Sequence, residues 1–391
     1  MTDDYAADDY AAATQLAHDD AFPSGAVVPP IYQTSLFTFA NYAEMEAAFS
    51  GQIQRPIYSR GNNPTVQEFE RKIAALEGAE AARGTASGMA AISSAVLSIA
   101  GAGDRILCTR HVYGDAYRFF EKLLPRVGVT VDYVDAGDLA AVEAALPGAK
   151  LLYLENPTSM VFDLQEIGRL ASLAKAHGAA TIIDNSWATP LFQQPLKHGV
   201  DLVVHSASKY LSGHSDTVAG VIAGSAERIA RVNDLTYPYL GGKLSPFEAW
   251  LLIRGMRTLP LRMRQHQESG LAIARRLADH PLVTRVLHPV FSNHPGGATL
   301  TGHSGLFSFE VDARVDVPRF VDGLRLFKLG VSWGGHESLV IPAQASLRQA
   351  QGPNAMSAFG VTPRIVRIAV GLEDTEDLWG DLDRALGASA G

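Results

Sequence analysis

Five short apolar runs recur through the middle of this chain: RILC from Arg105, VTVDYV from Val129, KLLYLE from Lys150, ATIID from Ala180 and DLVVHS from Asp201. Helix-like stretches separate them, such as Leu164 to His177, closed by Gly178. Strands alternating with helices imply βαβ units and a mostly parallel sheet, which makes the chain an α/β protein. In open sheets of that kind ligands bind beyond the carboxyl ends of the strands, so residues directly after each run are the first candidates for function.

The 391-residue length suggests two or three domains. The first twenty residues are acidic and of low complexity, and are expected to be mobile. Phe22 to Arg60 lacks clear periodicity, so residues 1–60 read as an extended N-terminal arm. After Asn63-Pro64-Thr65, helical spacing places Val66, Phe69, Ile73 and Leu76 on one face, with Gly78 at the end. An α/β domain is expected over 61–255. Ser245-Pro246 signals a helix start, and Pro260 should break or kink the long helical segment that follows. A smaller α+β domain then occupies 256–391, with strand-like GLFSFEV and RIVRIAV and a last helix near Thr375 to Leu386.

Charge narrows the function classes. Residues 1–54 hold eight acids and no Lys or Arg, while the remainder is balanced at 33 acids and 33 bases. No basic patch argues for nucleic acid, and the acidic start has the wrong sign for a targeting peptide. No apolar run approaches the ~20 residues that span a bilayer. A lone cysteine, Cys108, permits no intramolecular disulfide. A cytoplasmic location is expected.

Lys209 follows the run VDLVV and lies between Ser206, Ser208 and the glycine of LSGHSD. The chain has only eight lysines. An amine at a strand end loses hydration, which lowers its pKa and suits it to Schiff-base chemistry. A solvated loop lysine is the plain alternative. Asp184 closes the neighbouring run ATIID, where it could equally cap the next turn. Together, an acid for a ring nitrogen, a lysine and phosphate-binding hydroxyls form the set used by pyridoxal phosphate (PLP).

Other motifs are weaker alone. In TASGMAA, Ser87, Gly88 and Met89 open an apolar helix whose free N–H groups could hold phosphate, or Ser87 is an ordinary cap. Tyr113 could stack on a planar cofactor and use its hydroxyl as a catalytic acid or base, or fill the core. Tyr58 and Arg60 point the same way on an extended segment and suit a phosphate, or are solvated. Arg367, in RIVRIAV, needs a partner in an apolar run: a substrate carboxylate or a structural acid. No histidine spacing suggests a metal, and no GxGxxG follows the first strand.

In order and spacing, GAVVPPIYQTS, YSRGNNPT, ASGMAA, Tyr113-Gly114, DNSWATP, HSASKYLSGHSD, GMRTLPLRMRQH, GGHESL and RIAVGLED resemble the Cys/Met-metabolism PLP enzymes, from about Gly25 to the C-terminus. The resemblance implies a fold-type I transferase with a mostly parallel seven-stranded sheet and a smaller C-terminal domain. It implies that Lys209 holds PLP and moves protons, that Asp184 pairs with the ring nitrogen and that Tyr113 stacks on the ring. Ser87, Gly88, Met89, Ser206 and Ser208 would hold the phosphate, while Tyr58 and Arg60 would reach that of a neighbouring subunit in a tetramer of dimers. Arg367 would bind the substrate carboxylate with Ser338, and Ser159 and Trp333 would line the substrate side.

Within that family SWGGHESL, Trp187 and Ser159 lean toward the cystathionine β-lyase branch. Asp115 stands where methionine γ-lyases typically carry cysteine, and His336 where β-lyases are often aromatic. The expected reaction is β-elimination from a sulfur amino acid to pyruvate, ammonia and a thiol. The alternative is γ-synthase, γ-lyase or homoserine-ester sulfhydrylase chemistry.

Overall fold

A computed structural model describes residues 10–18 and 22–391. The expectation of mobility for the first twenty residues falls largely outside them; within them, Ala12–Ala17 is one short helix that buries Leu16. Further on, Tyr42–Phe49 is helical although the sequence shows no clear period there. Asn41 caps it by accepting from the Glu44 N–H, and Glu44 accepts from the Ala40 N–H.

The helix expected after Asn63 spans Pro64–Glu77. Asn63 accepts the Thr65 N–H at 3.0 Å, Pro64 opens the first turn, and Val66, Phe69, Ile73 and Leu76 are buried. Gly78 ends it in the left-handed region at φ 66°, a conformation that glycine adopts without strain.

The large sheet has seven strands: β1 Ala81–Thr85, β2 Arg105–Thr109, β3 Thr130–Val134, β4 Leu151–Glu155, β5 Ala180–Asp184, β6 Leu202–His205 and β7 Gly220–Gly224. Their order is β1-β7-β6-β5-β4-β2-β3, parallel except at β7, which runs antiparallel to both neighbours. The five runs read from the sequence are β2 to β6. The other two, AARGT and GVIAG, are poor in strand formers, and their pairing with each other supplies the stability their composition lacks.

Pro260 lies in the first turn of the helix Leu259–Ala278, just after the helix Pro246–Met256 ends. Proline is tolerated at a helix start and excluded from its interior, so the break falls before it. Five further strands follow: β8 Val283–Leu287, β9 Leu306–Val311, β10 Lys328–Leu329, β11 Leu339–Pro342 and β12 Ile365–Ala369. They form a second sheet ordered β10-β11-β12-β9-β8, antiparallel except between β10 and β11. Its apolar face packs on Leu259–Ala278 and on the final helix Thr375–Ser389 through Phe307, Phe309, Ile368, Ile273, Leu277 and Leu382.

Candidate active site

Parallel strands β4, β5 and β6 end together on one edge of the large sheet, and register places Glu155 opposite Asp184. The chain after β6 turns at once into the loop that bears Lys209. Loops from the second sheet close the far side, giving a cleft of about 490 Å³. Of the residues singled out in the sequence, Ser87, Gly88, Met89, Tyr113, Ser159, Asp184, Ser206, Ser208, Lys209, Trp333 and Arg367 all line it.

One end is built for an anion. The helix Gly88–Ile99 begins here, with Ser87 accepting the Ala90 N–H at 3.0 Å and the Gly88 and Met89 N–H groups open in the first turn. A Cβ on Gly88 would stand 2.9 Å from both Cβ and Oγ of Ser206, so the close approach requires glycine. The Ser206 N–H donates to Ser186 Oγ at 2.7 Å. Ser208 is tied at both ends to Ala219, donating to its carbonyl at 3.1 Å and accepting its N–H at 2.9 Å.

At the floor, burial raises the pKa of Asp184, while bonds from the Ser186 hydroxyl (2.6 Å) and N–H (2.9 Å) and the His205 and Lys209 charges pull it back. Glu155 accepts from the Tyr113 N–H at 2.8 Å and the Ser159 hydroxyl at 2.7 Å; burial, then the Asp184 charge, pushes it up to about 8. Lys209 donates to Ser332 Oγ, and its Nζ is 5.5 Å from the Trp333 ring centroid. Burial and the nearby Arg367 cation lower Lys209 to about 8, against the pull of Asp184. Its amine is therefore available as a base near neutrality.

Arg367 extends from β12 into the cleft, and among the described residues its guanidinium has no hydrogen-bond or ion-pair partner. Burial lowers it to about 10, which still leaves it cationic. A carboxylate would complete it.

Three residues lie elsewhere. Ser338 is fully buried, with its hydroxyl donating to Glu373 and accepting the Gly371 N–H, both at 2.8 Å, so the side chain is spent inside the second sheet's loop. Tyr58 and Arg60 sit on the arm, away from this chain's cleft, where Arg60 donates to the Pro238 carbonyl at 3.4 Å.

The sequence reasoning missed Glu155, Ser186, Ser332 and Glu337. Glu155 carried the same signal as Asp184, an acid ending an apolar run. Ser332, the first residue of SWGGHESL, carried no role beyond that motif, because it reaches Lys209 from another sheet, with its backbone at φ 85°.

Residues 11–387 match the family model for Cys/Met metabolism PLP-dependent enzymes. The chain belongs to that family of PLP-dependent enzymes. It is 38% identical to the O-succinylhomoserine sulfhydrylase of Pseudomonas aeruginosa, covering 94% of this chain and 92% of the relative. It is also 38% identical to the cystathionine beta-lyase of Lactococcus lactis subsp. cremoris, over 93% and 94% of the two chains. The solved cystathionine gamma synthase from Xanthomonas oryzae pv. oryzae, in complex with aminoacrylate and cysteine, superposes with TM-score 0.90 at 33% identity, over 97% and 98% of the two chains.

The cleft fits the cofactor. A glycine-tight cradle of open N–H groups suits a phosphate, and Asp184, its pKa raised by burial, lines the same cleft, where a ring cation would stabilise its charge.

Proposed function

We propose that this enzyme breaks the carbon–sulfur bond of a sulfur amino acid by β-elimination, with L-cystathionine as the type substrate. The observation that carries the reading is the company Arg367 keeps. An uncompensated cation and an amine lowered to about 8 line one cleft, so a carboxylate-bearing α-carbon would be held beside a base.

PLP, when bound, supplies an electron-accepting ring in conjugation with the substrate α-carbon. Ser87, Gly88, Met89 and Ser206 would hold its phosphate, joined by Ser208 once its hydroxyl turns from the Ala219 carbonyl, and Lys209 would hold its aldehyde carbon. Asp184, ionised by the added cation, keeps the proton on the ring nitrogen. Arg367 holds the α-carboxylate and fixes which α-bond faces Lys209. The Lys209 amine, freed when the substrate amine takes its place, takes the α-proton. The Cβ–S bond then breaks with its electron pair on sulfur, which takes a proton and leaves as the thiol. Hydrolysis of the remaining fragment gives pyruvate and ammonia.

Glu337 also lines the cleft, and its Oε1 accepts from Ser215 at 2.6 Å. A carboxylate there suits a dipolar substrate better than an apolar one. It does not separate β- from γ-chemistry, in which the same lysine would remove a second proton at Cβ. The sulfhydrylase and lyase relatives support that alternative as well. The enzyme would act as an assembly of identical subunits, with Tyr58 and Arg60 serving a neighbour's phosphate.

The test is to incubate the PLP-loaded enzyme with L-cystathionine and identify the keto acid. Pyruvate with homocysteine upholds β-elimination; 2-oxobutyrate with cysteine replaces it with γ-elimination.

A further inference from the structure

Tyr113 begins the helix Gly114–Lys122, and its ring borders both the main cleft and the chamber behind it. Its hydroxyl donates to Asp115 Oδ2 at 2.9 Å. The other carboxylate oxygen, Oδ1, is gripped by Arg118, through Nε at 2.9 Å and through Nη2. Arg118 lies one helical turn on, which puts it and Asp115 on the same face. It also reaches Gln349 Oε1 at 3.4 Å, on the loop that closes the rear chamber.

A phenol has one proton to donate, and here that proton points along the helix rather than into the cleft. We infer that Asp115, fixed by Arg118, is a positioning residue that holds the Tyr113 hydroxyl proton out of the reaction and keeps Tyr113 a neutral ring beside the substrate. This rests on the carbon–sulfur lyase reading above and deepens it: the proton for the departing sulfur comes from Lys209, which has just received one from the α-carbon. The electron balance is unchanged, since the pair of the Cβ–S bond stays on sulfur and one proton moves from Lys209 Nζ to it.

Electrostatics point the same way. Burial, then the Asp115 charge and hydrogen bond, then Asp184 push the Tyr113 hydroxyl well above the ordinary phenol range, opposed by Arg118. The other titratable groups lining the two chambers beside this ring are His111, Glu155, Lys209, Glu337 and Arg367. A phenol raised this far is mismatched to a thiolate, whose ordinary pKa is about 8.5, whereas Lys209 at about 8 is matched.

The direct experiment is a pH titration of full-length enzyme carrying 13Cζ-tyrosine, with and without PLP, the Tyr113 signal assigned by its loss in Tyr113→Phe. In the wild type the signal should not ionise below about pH 10, the ordinary phenol value. In Asp115→Asn its midpoint should fall by about one unit or more relative to the wild type. Asp115→Glu should restore it, and Arg118→Gln, which leaves the carboxylate charge in place, should give no downward shift. An unmoved midpoint in Asp115→Asn overturns the inference. So does a fall in kcat of about 10²–10⁴-fold in Tyr113→Phe, the size expected for a lost general acid. Because the titration needs no turnover, it stands or falls separately from the identity of the keto acid.

Discussion

Glu155 and Asp184 stand side by side at the ends of neighbouring parallel strands, two carboxylates in register on the floor of one cleft. Each raises the cost of ionising the other, and their remaining neighbours divide the roles. Asp184 has Ser186, His205 and Lys209 to stabilise its charge. Glu155, nine-tenths buried, has two hydrogen bonds and no cation among its pKa-lowering neighbours. Such divergent environments for two acids assign the charge to one and the proton to the other.

That division has a pH signature in stability. Glu155 is raised from 4.5 to about 8 on folding, so its contribution is complete below pH 4.5 and is lost as pH rises through 8. Glu155→Gln keeps an acceptor oxygen for the Tyr113 N–H, reverses the Ser159 contact so that the amide N–H donates to the hydroxyl, and removes the titration. We expect the variant to gain on the wild type between about pH 5 and 8, by at most about 1.4 kcal/mol per pH unit. Urea unfolding of the two cofactor-free proteins at several pH values measures this, and a constant difference refutes it.

Lys209 should titrate near 8 rather than 10.5. The rate at which cofactor-free enzyme recombines with PLP, followed by visible absorbance, is expected to rise with pH to a midpoint near 8. Lys209→Ala is expected to lose turnover by at least about 10⁴-fold, because the nucleophile and the base go together. Normal turnover by that variant would end the assignment.

Gly88→Ala puts a methyl 2.9 Å from Ser206 and closes the phosphate cradle. PLP affinity should fall by about tenfold or more, equivalent to about 1.4 kcal/mol. Pairing it with Ser206→Gly should recover part of the loss, since the second change removes the atoms that clash. Equilibrium dialysis of PLP against the three proteins gives the answer.

Arg367→Leu removes the one cation we assign to the substrate carboxylate. A charge-assisted pair contributes about 1.5–3 kcal/mol, so kcat/KM should drop by about 10–100-fold, with most of the effect in KM. The variant should fold at least as well as the wild type, because no protein acid among the described residues depends on that guanidinium. A loss confined to kcat would mean that Arg367 acts on the chemical step instead.

Much of the fold was legible because burial writes itself into local pattern. The stripe Val66, Phe69, Ile73, Leu76 announced a helix, and uninterrupted apolar runs announced strands covered on both faces. Strands β1 and β7 stayed hidden because each is held by its neighbours rather than by its own composition. At the site, Lys209 and Asp184 were legible because an ionisable residue ending an apolar run is costly without a use. Glu155 carried that same signal and went unread.

From sequence alone came the alternation that makes a parallel sheet and the residues waiting at its carboxyl edge. Only the tertiary structure decided what those residues meet. It left Arg367 without an acid, spent Ser338 on Glu373, aimed the Tyr113 proton at Asp115 and brought Ser332 to Lys209 from a second sheet. Periodicity reports which face of an element is buried. Charge and proton placement depend on which atoms meet across elements far apart in the chain, and no local pattern records those distances.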